Sequence, residues 1–462
     1  MSLYNLFNRS YRDYVRSDEM LRMLNVIILS AAIGTFLFSA QGGVAFAGYA
    51  SALGAGELAF GLISALPVLA GLLQIYLSNL VVKTGKYKTM FMVGGIIQRT
   101  SWIVIAFIPF IFPVAESWLW ALIVLVTLAA MSGSGVAITH MTLMGSVIPI
   151  DIRGRYITTR QKVCTAAGLM FGFIIGFMLD YVPGFFGYSL VFGIGGICGL
   201  IDILMYSNIK FTDIPNRPEG FSLVASIKSC FTHVKMRNYL LFWTFWSFAI
   251  NISGPFFNKY AIDVLNLSYL SIIVFGQIVA QTMAILVVSR WGVFLDRYGS
   301  VPMMMISTLA SSAVAFVWLF AAPGVLWPMI VFNFVGGMLW CANDACMVNM
   351  QLSHTPAEGR PAALAVYAVF TSIAAATALI LGGALLEAFS PIMERLSWTI
   401  FGTQFDHYKV VFLIAIGVRF IVVGTFLPKV WNEKEIGFKE AYGKLYSNTS
   451  ERVKEVRSSF KR

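Results

Sequence analysis

The sequence predicts an all-α membrane protein: twelve transmembrane helices in two pseudo-symmetric six-helix bundles. Three observations predict it. Twelve apolar stretches are each long enough to cross a bilayer, which takes about 20 mostly apolar residues. Of the 462 residues, 58% are hydrophobic and only 12% charged, and mean hydropathy is +0.77, too little charge to cover a soluble core. Basic residues crowd into every second connection. The runs are continuous rather than alternating over ten residues, so they are helices and not barrel strands.

The spans read as 24–50, 58–82, 89–112, 117–142, 163–181, 187–208, 239–262, 268–290, 300–322, 326–350, 363–388 and 409–428. This divides the chain into an N-terminal segment (1–23), a first bundle (24–208), a linker (209–238), a second bundle (239–428) and a tail (429–462). The N-terminal segment carries Arg9, Arg12, Arg16 and Arg22. Together with the tail and the connections after spans 2, 4, 6, 8 and 10, it holds 28 of the 33 Lys and Arg. Both termini are therefore expected in the cytoplasm. The short outer loops suit a bacterial inner membrane. The net charge of +11 reflects this asymmetry and attraction to anionic lipid, not nucleic acid. The first span is too long for a signal-peptide core, so no cleavable signal is expected.

Span 1 follows the basic segment and holds Ser30, Gly34, Phe38 and Gln41, with no carboxylate. On span 4, His140 shares a stripe with Gly133, Ala137 and Met144; it is a transport or proton group, or a packed histidine. Spans 5 and 8 carry small residues at steps of four, Gly168, Gly172 and Gly176, and Gly276, Ala280 and Ala284, which let helices approach closely. The linker contains Pro215, Pro218 and Gly220, with a short amphipathic helix expected over 223–234. Span 7 holds an aromatic run from Phe242 through Trp246, and a stripe of Trp243, Ser247, Asn251 and Gly254. The following Pro255 makes it a bending helix. On span 10, Asn333, Gly337, Trp340, Asp344 and Met347 share one stripe. Asp344, about 9 Å from the span's end, can hold a cation, bind a proton or accept hydrogen bonds, or can cap or pair near the surface. Arg99, Asp202 and Arg419 lie inside spans 3, 6 and 12. Intramembrane charge is costly and marks function by default.

Each half repeats weakly. A shift of 214 residues brings Lys83 and Gly85 onto Arg297 and Gly299; a shift of 205 brings Arg153-Gly154-Arg155 onto Glu358-Gly359-Arg360. Two parallel six-span halves are a known transporter arrangement. On these residues, with the stretch Gly61 through Gln74, the chain resembles the major facilitator superfamily, bacterial type. Gly292-x-x-x-Asp296-Arg297-x-Gly299 resembles that family's signature between spans 2 and 3 of each half, and Arg153-Gly154-Arg155 its Arg-Gly element after span 4. In the first half Val82 stands where the signature has Asp.

The resemblance implies alternating access, with spans 1, 4, 7 and 10 around a central cavity and spans 5 and 8 against each other across the halves. It implies that Asp296 and Arg297 latch the inner face, with Gly292, Gly299, Arg153, Arg155 and Arg360 as the other gating positions. Solvated turns at Gly292 and Gly299 are the alternative. It places Asp344, with Trp340, Asn333, Asn251, Trp246, His140 and Gln41, at the solute. Arg99, Asp202 and Arg419, on spans outside the cavity, are then structural.

Three function classes remain to be weighed. A secondary transporter of a small solute, driven by an ion or proton gradient, agrees with the absence of G-x-x-x-x-G-K-[ST]. A non-transporting sensor or scaffold on the same fold is the alternative. A lipid-acting enzyme would need clustered His, Asp or Cys, whereas the four His are scattered. The five cysteines lie in spans or the inner loop without metal-ligand spacing. Neither metal nor cofactor is expected, and a monomer is. Aromatic lining favours amphipathic solutes, while Asn333, Asn251 and Gln41 suit small polar ones such as sugars.

Overall fold

The structure is a computed structural model. It describes residues 18–430, apart from 150, 208, 210–222, 356–359, 397 and 401–402. Residues 210–222 of the linker, Glu358-Gly359 and the tail from 431 lie outside the described residues.

Twelve helices are long and apolar enough to cross a membrane. They are Glu19–Gln41, Glu57–Ser78, Tyr87–Ala106, Glu116–Val147, Arg153–Tyr181, Phe185–Met205, Val234–Asp263, Tyr269–Tyr298, Ser300–Phe320, Trp327–Gln351, Ala363–Leu396 and His407–Val430, called spans 1 to 12 below. The apolar runs fix their number. Several helices outrun their apolar core, because helix continues into water once the backbone is bonded internally. Span 4 extends to Val147 and span 5 begins at Arg153, so the connection between them is short and the basic residues expected there lie in the first turns of span 5. The linker helix forms over Leu223–Thr232 and buries Cys230 against span 7 and span 11 residues. A two-residue antiparallel pairing, Thr399–Ile400 with Thr403–Gln404, joins spans 11 and 12.

The halves meet along two seams. In the first, span 2 packs on span 11. A Cβ on Gly61 would lie 2.5 Å from the Leu379 carbonyl oxygen, and one on Gly383 2.6 Å from that of Glu57. In the second, Gly176 and Gly172 of span 5 receive Leu270 and Ile273 of span 8. This departs from the expected pairing of two small-residue stripes. Gly276 faces Asn333, and Gly337 lies against the Ala280 backbone. The small residues of span 8 therefore seat span 10 within its own half, and only those of span 5 serve the cross-half seam.

Two spans break at matching places. Span 1 interrupts between Gln41 and Gly43, whose φ of +64° is a left-handed conformation glycine adopts freely. Span 7 interrupts over 252–255, as Gly254-Pro255 leads one to expect.

Candidate functional site: a cleft closed at one end

The end of the bundle away from the chain termini, here the distal end, is tied across the halves. Lys259 of span 7 is 3% exposed. Its Nζ donates to Asp263 Oδ2 at 2.6 Å and to Ser51 Oγ at 2.9 Å, beyond the break of span 1. Ser51 itself donates to Asp263 at 2.8 Å, and Glu57 Oε1 stands 3.9 Å from the ammonium. Tyr408 of span 12 donates to Glu57 at 2.6 Å. On the opposite flank, Asp180 of span 5 accepts the backbone N–H groups of Tyr269 and Leu270 at 2.8 and 2.9 Å. A carboxylate of one half thus caps the N-terminus of a helix in the other, the favourable end of its dipole. The Tyr188 and Tyr269 hydroxyls bond at 2.5 Å beside it.

Beneath this lock lies a cavity of about 430 Å³ between the two helix breaks, lined by Gly42, Gly43, Gly254, Asn258, Gln277 and Asn333 among others. Below it, a cavity of about 1050 Å³ runs from Phe38 and Ser39 past His140 to Met141 and Arg160, toward the terminal end. Met141 is 73% exposed and Ile285 62%. A third, of about 360 Å³, lies against Gln41, Gln74, Gln98 and Trp102.

The expected site residues do not converge on one point. Gln41 lines the smallest cavity and Asn333 the distal one, where its amide is bonded to its own helix at Met329. His140 lines the largest, its Nε2 3.2 Å from the Tyr206 hydroxyl and its ring stacked on Phe91. Asp344 is exposed, with no hydrogen bond or ion pair among the described residues, and does not line these three cavities. Helix continues ten residues beyond it to His354, so it sits about 15 Å from that end, deeper than the apolar run indicates.

Span 7 corrects a further expectation. Trp246 is 1% exposed and Trp243 8%, packed with Met303 and Met304. Trp246 is thereby unavailable to a solute, and Trp340 is half-buried, 6.4 Å from it ring to ring. Ser247 bonds the Thr371 carbonyl of span 11, and Asn251 the Ser247 carbonyl of its own helix. Phe242, Trp243 and Trp246 of the aromatic run are core, packed with residues of spans 9 to 12, whereas Phe245 faces outward.

The gating positions divide as well. Asp296 and Arg297 are exposed at the terminal end, neither with a partner among the described residues. Gly299 stops span 8 with φ +89°. Gly292 makes no bend: it lies inside the helix with open space around it. Arg153 donates to the Gly145 and Ile148 carbonyls, satisfying the end of span 4 rather than an acid. Arg155 is exposed. Arg360 begins the helix of span 11; its side chain lies outside the described residues.

The three intramembrane charges outside the expected cavity all find partners. Arg419 has no carboxylate; it donates to the Ala249 and Ile250 carbonyls and the Ser253 hydroxyl, groups exposed where span 7 breaks. Arg99 and Asp202 pair at 3.3 Å, and Arg99 also donates to Gln98. Gly34 and Gly199 clear the space: a Cβ there would meet Asp202 at 2.7 Å or Arg99 at 2.6 Å. This pair also lines the largest cavity, which span numbering alone did not convey. The close glycines facing it were the available signal.

The sequence model described as Major Facilitator Superfamily matches residues 290–450, the half with the intact Asp296-Arg297 signature. Over that stretch the chain is similar to the major facilitator superfamily. A crystal structure of a mutant of the nucleoside transporter NupG superposes with a TM-score of 0.69 at 14% identity, covering 88% of this chain and 99% of that one. A bacterial homologue of the human lysosomal transporter Spinster, inward-facing and unoccupied, gives 0.65 at 13% identity over 91% and 100%. The inward-open xylose transporter XylE from E. coli gives 0.60 at 16% over 91% and 99%. These likenesses fix the twelve-helix fold. No curated protein matches in sequence. Twelve apolar helices in this fold mark an integral multi-pass membrane protein.

Proposed function

We propose that the protein is a secondary transporter that moves a small solute by alternating access, and that this is its inward-open state. One observation carries the reading: a cleft between the halves is sealed at the distal end by a buried cross-half network and widens toward the terminal end. The Lys and Arg alternation supports a cytoplasmic terminal end, and the short outer loops suit a bacterial inner membrane. Rocking about the two seams would break the Lys259 network and bring the terminal ends together. There Asp296 can form a charge-assisted pair with a guanidinium.

An ion or proton gradient supplies the energy, because no phosphate-binding loop is present. Asp344, unpaired and facing no acid partner, is the carboxylate for a coupling proton; a lone carboxylate at that depth costs a few kcal/mol when charged. Asp344→Asn is expected to abolish gradient-driven accumulation in proteoliposomes while preserving solute exchange; equal loss of both makes it a solute contact instead. For the topology, cysteines introduced at 55 and 184 should react with an impermeant reagent from outside intact cells, and those at 86 and 217 should not. The opposite pattern refutes the orientation. If purified protein in vesicles exchanges no solute, a sensor or scaffold is the better description.

A further inference from the structure

The cavity of about 1050 Å³ holds a cation with no ion-pair partner among the described residues. Seven residues, or about 10 Å, into span 5, Arg160 lines it together with Arg99, Asp202 and His140. Asp202 is committed to Arg99. Arg160 makes no hydrogen bond or ion pair among the described residues, and its Nε is shielded from solvent without a partner. Counting His140 as neutral, the wall carries one net positive charge, all of it on Arg160. An unpaired guanidinium in a spanning helix is costly, and a planar fork of donors is matched best by a carboxylate.

Around it stand amides rather than further charges. Gln161 is its neighbour, Gln98 sits across the cavity, and Gln277 and Gln281 reach in from span 8 of the other half. Gly133 is kept small by Gln98, whose amide nitrogen would lie 2.5 Å from a Cβ there. Amides both donate and accept, so they suit hydroxyl or amide groups on a solute.

We propose that this cavity binds a hydrophilic organic monoanion, its carboxylate on Arg160 and its hydroxyl or amide groups on the surrounding glutamines. Arg99 and Asp202 neutralise each other and position Gln98. One charge on the wall calls for one on the solute; a phosphate ester, with nearly two, would leave the site net negative. Contact with Gln277 and Gln281 ties the solute to both halves, so its binding bears on their movement. This rests on the transporter reading and names its substrate class.

The test is thermal stabilisation of the purified full chain by matched sets of one carbon skeleton: gluconate and glucuronate, glucose, glucosamine, and glucose 6-phosphate. The inference expects an acid to raise the melting temperature where its neutral and cationic counterparts do not. Arg160→Gln should weaken that binding about tenfold or more, the effect of losing a charged hydrogen bond; Arg160→Lys should retain part of it. If Arg160→Gln melts poorly alone, protection of Arg160 from phenylglyoxal by the same acids in the unmutated protein reads the contact directly. Acids that stabilise no better than neutral or phosphorylated counterparts, or that bind equally to Arg160→Gln, overturn the proposal. Counterflow of a neutral sugar with no acid binding would overturn the substrate class alone; exchange of no solute at all would overturn the transporter reading.

Discussion

The two ends of the molecule handle their charges in opposite ways. At the distal end, Asp263, Glu57 and Ser51 from different halves are drawn within 3.9 Å of the Lys259 ammonium, which is nearly inaccessible. At the terminal end, Asp296 and Arg297 stand exposed and without a partner among the described residues, and a cleft of about 1050 Å³ widens toward that end. In a two-state carrier the same residues must exchange these conditions, so a charge that is satisfied now is a charge that must be released later. Under the proposed alternating access, the distal network holds this state, whereas the terminal charges await the other one.

The largest expected effect follows from breaking the held end. Lys259→Met leaves Asp263 and Glu57 without their cation, and removing one partner of a buried pair costs about 3 kcal/mol or more. The distal end should then open: thiol labelling at position 51 should rise, and the melting temperature should fall. Unchanged labelling would mean that apolar seams, not the lysine, close that end.

Next in size is the seam about which the halves turn. Gly61→Val places branched carbons against the Leu379 carbonyl, and overpacking of this kind costs about 1–3 kcal/mol. It should lower both the melting temperature and the exchange rate, whereas Gly292→Ala, with open space around it, should do neither.

Smaller again is Arg419→Met. It strips the donors from the Ala249 and Ile250 carbonyls at the break of span 7, a loss of about 1–3 kcal/mol. Because the break separates the aromatic lower part of span 7 from the part that carries Lys259, transport should fall more than expression does. The smallest effect on stability belongs to Asp296→Asn, an exposed change within about 0.5 kcal/mol. It should leave melting untouched yet slow exchange, since the pairing it removes exists only in the other state. An exchange rate equal to that of the unmutated protein would end its role as a latch.

What the sequence makes legible follows its physics. Span number and the break at Gly254-Pro255 are local consequences of hydropathy and of proline's missing N–H, and both are seen. The small-residue stripe of span 8 was visible, but which neighbour it serves depends on tertiary packing, and the neighbour is span 10. The distal lock was out of reach. The cross-half bonds of Lys259 and Glu57 join residues 204 to 351 apart in the chain, and neither periodicity nor a shared stripe connects Ser51 with Asp263. Trp246 misled for a related reason: an aromatic run looks the same in sequence whether it faces a cavity or a core. Arg99 and Asp202 were legible as intramembrane charges but neither as each other's partner nor as cavity wall, because the cavity spreads to the outer spans of the first half.

The central claim, that the distal lock must release for transport, is tested most directly by holding it shut. Ser51→Cys and Asp263→Cys, in a chain whose five cysteines have been replaced, place thiols where hydroxyl and carboxylate now stand 2.8 Å apart. Joining them with a short thiol-reactive bridge in proteoliposomes should stop solute exchange, leave the terminal end open to labelling, and be reversed by reductant. Exchange at the full rate with the bridge in place would contradict the account.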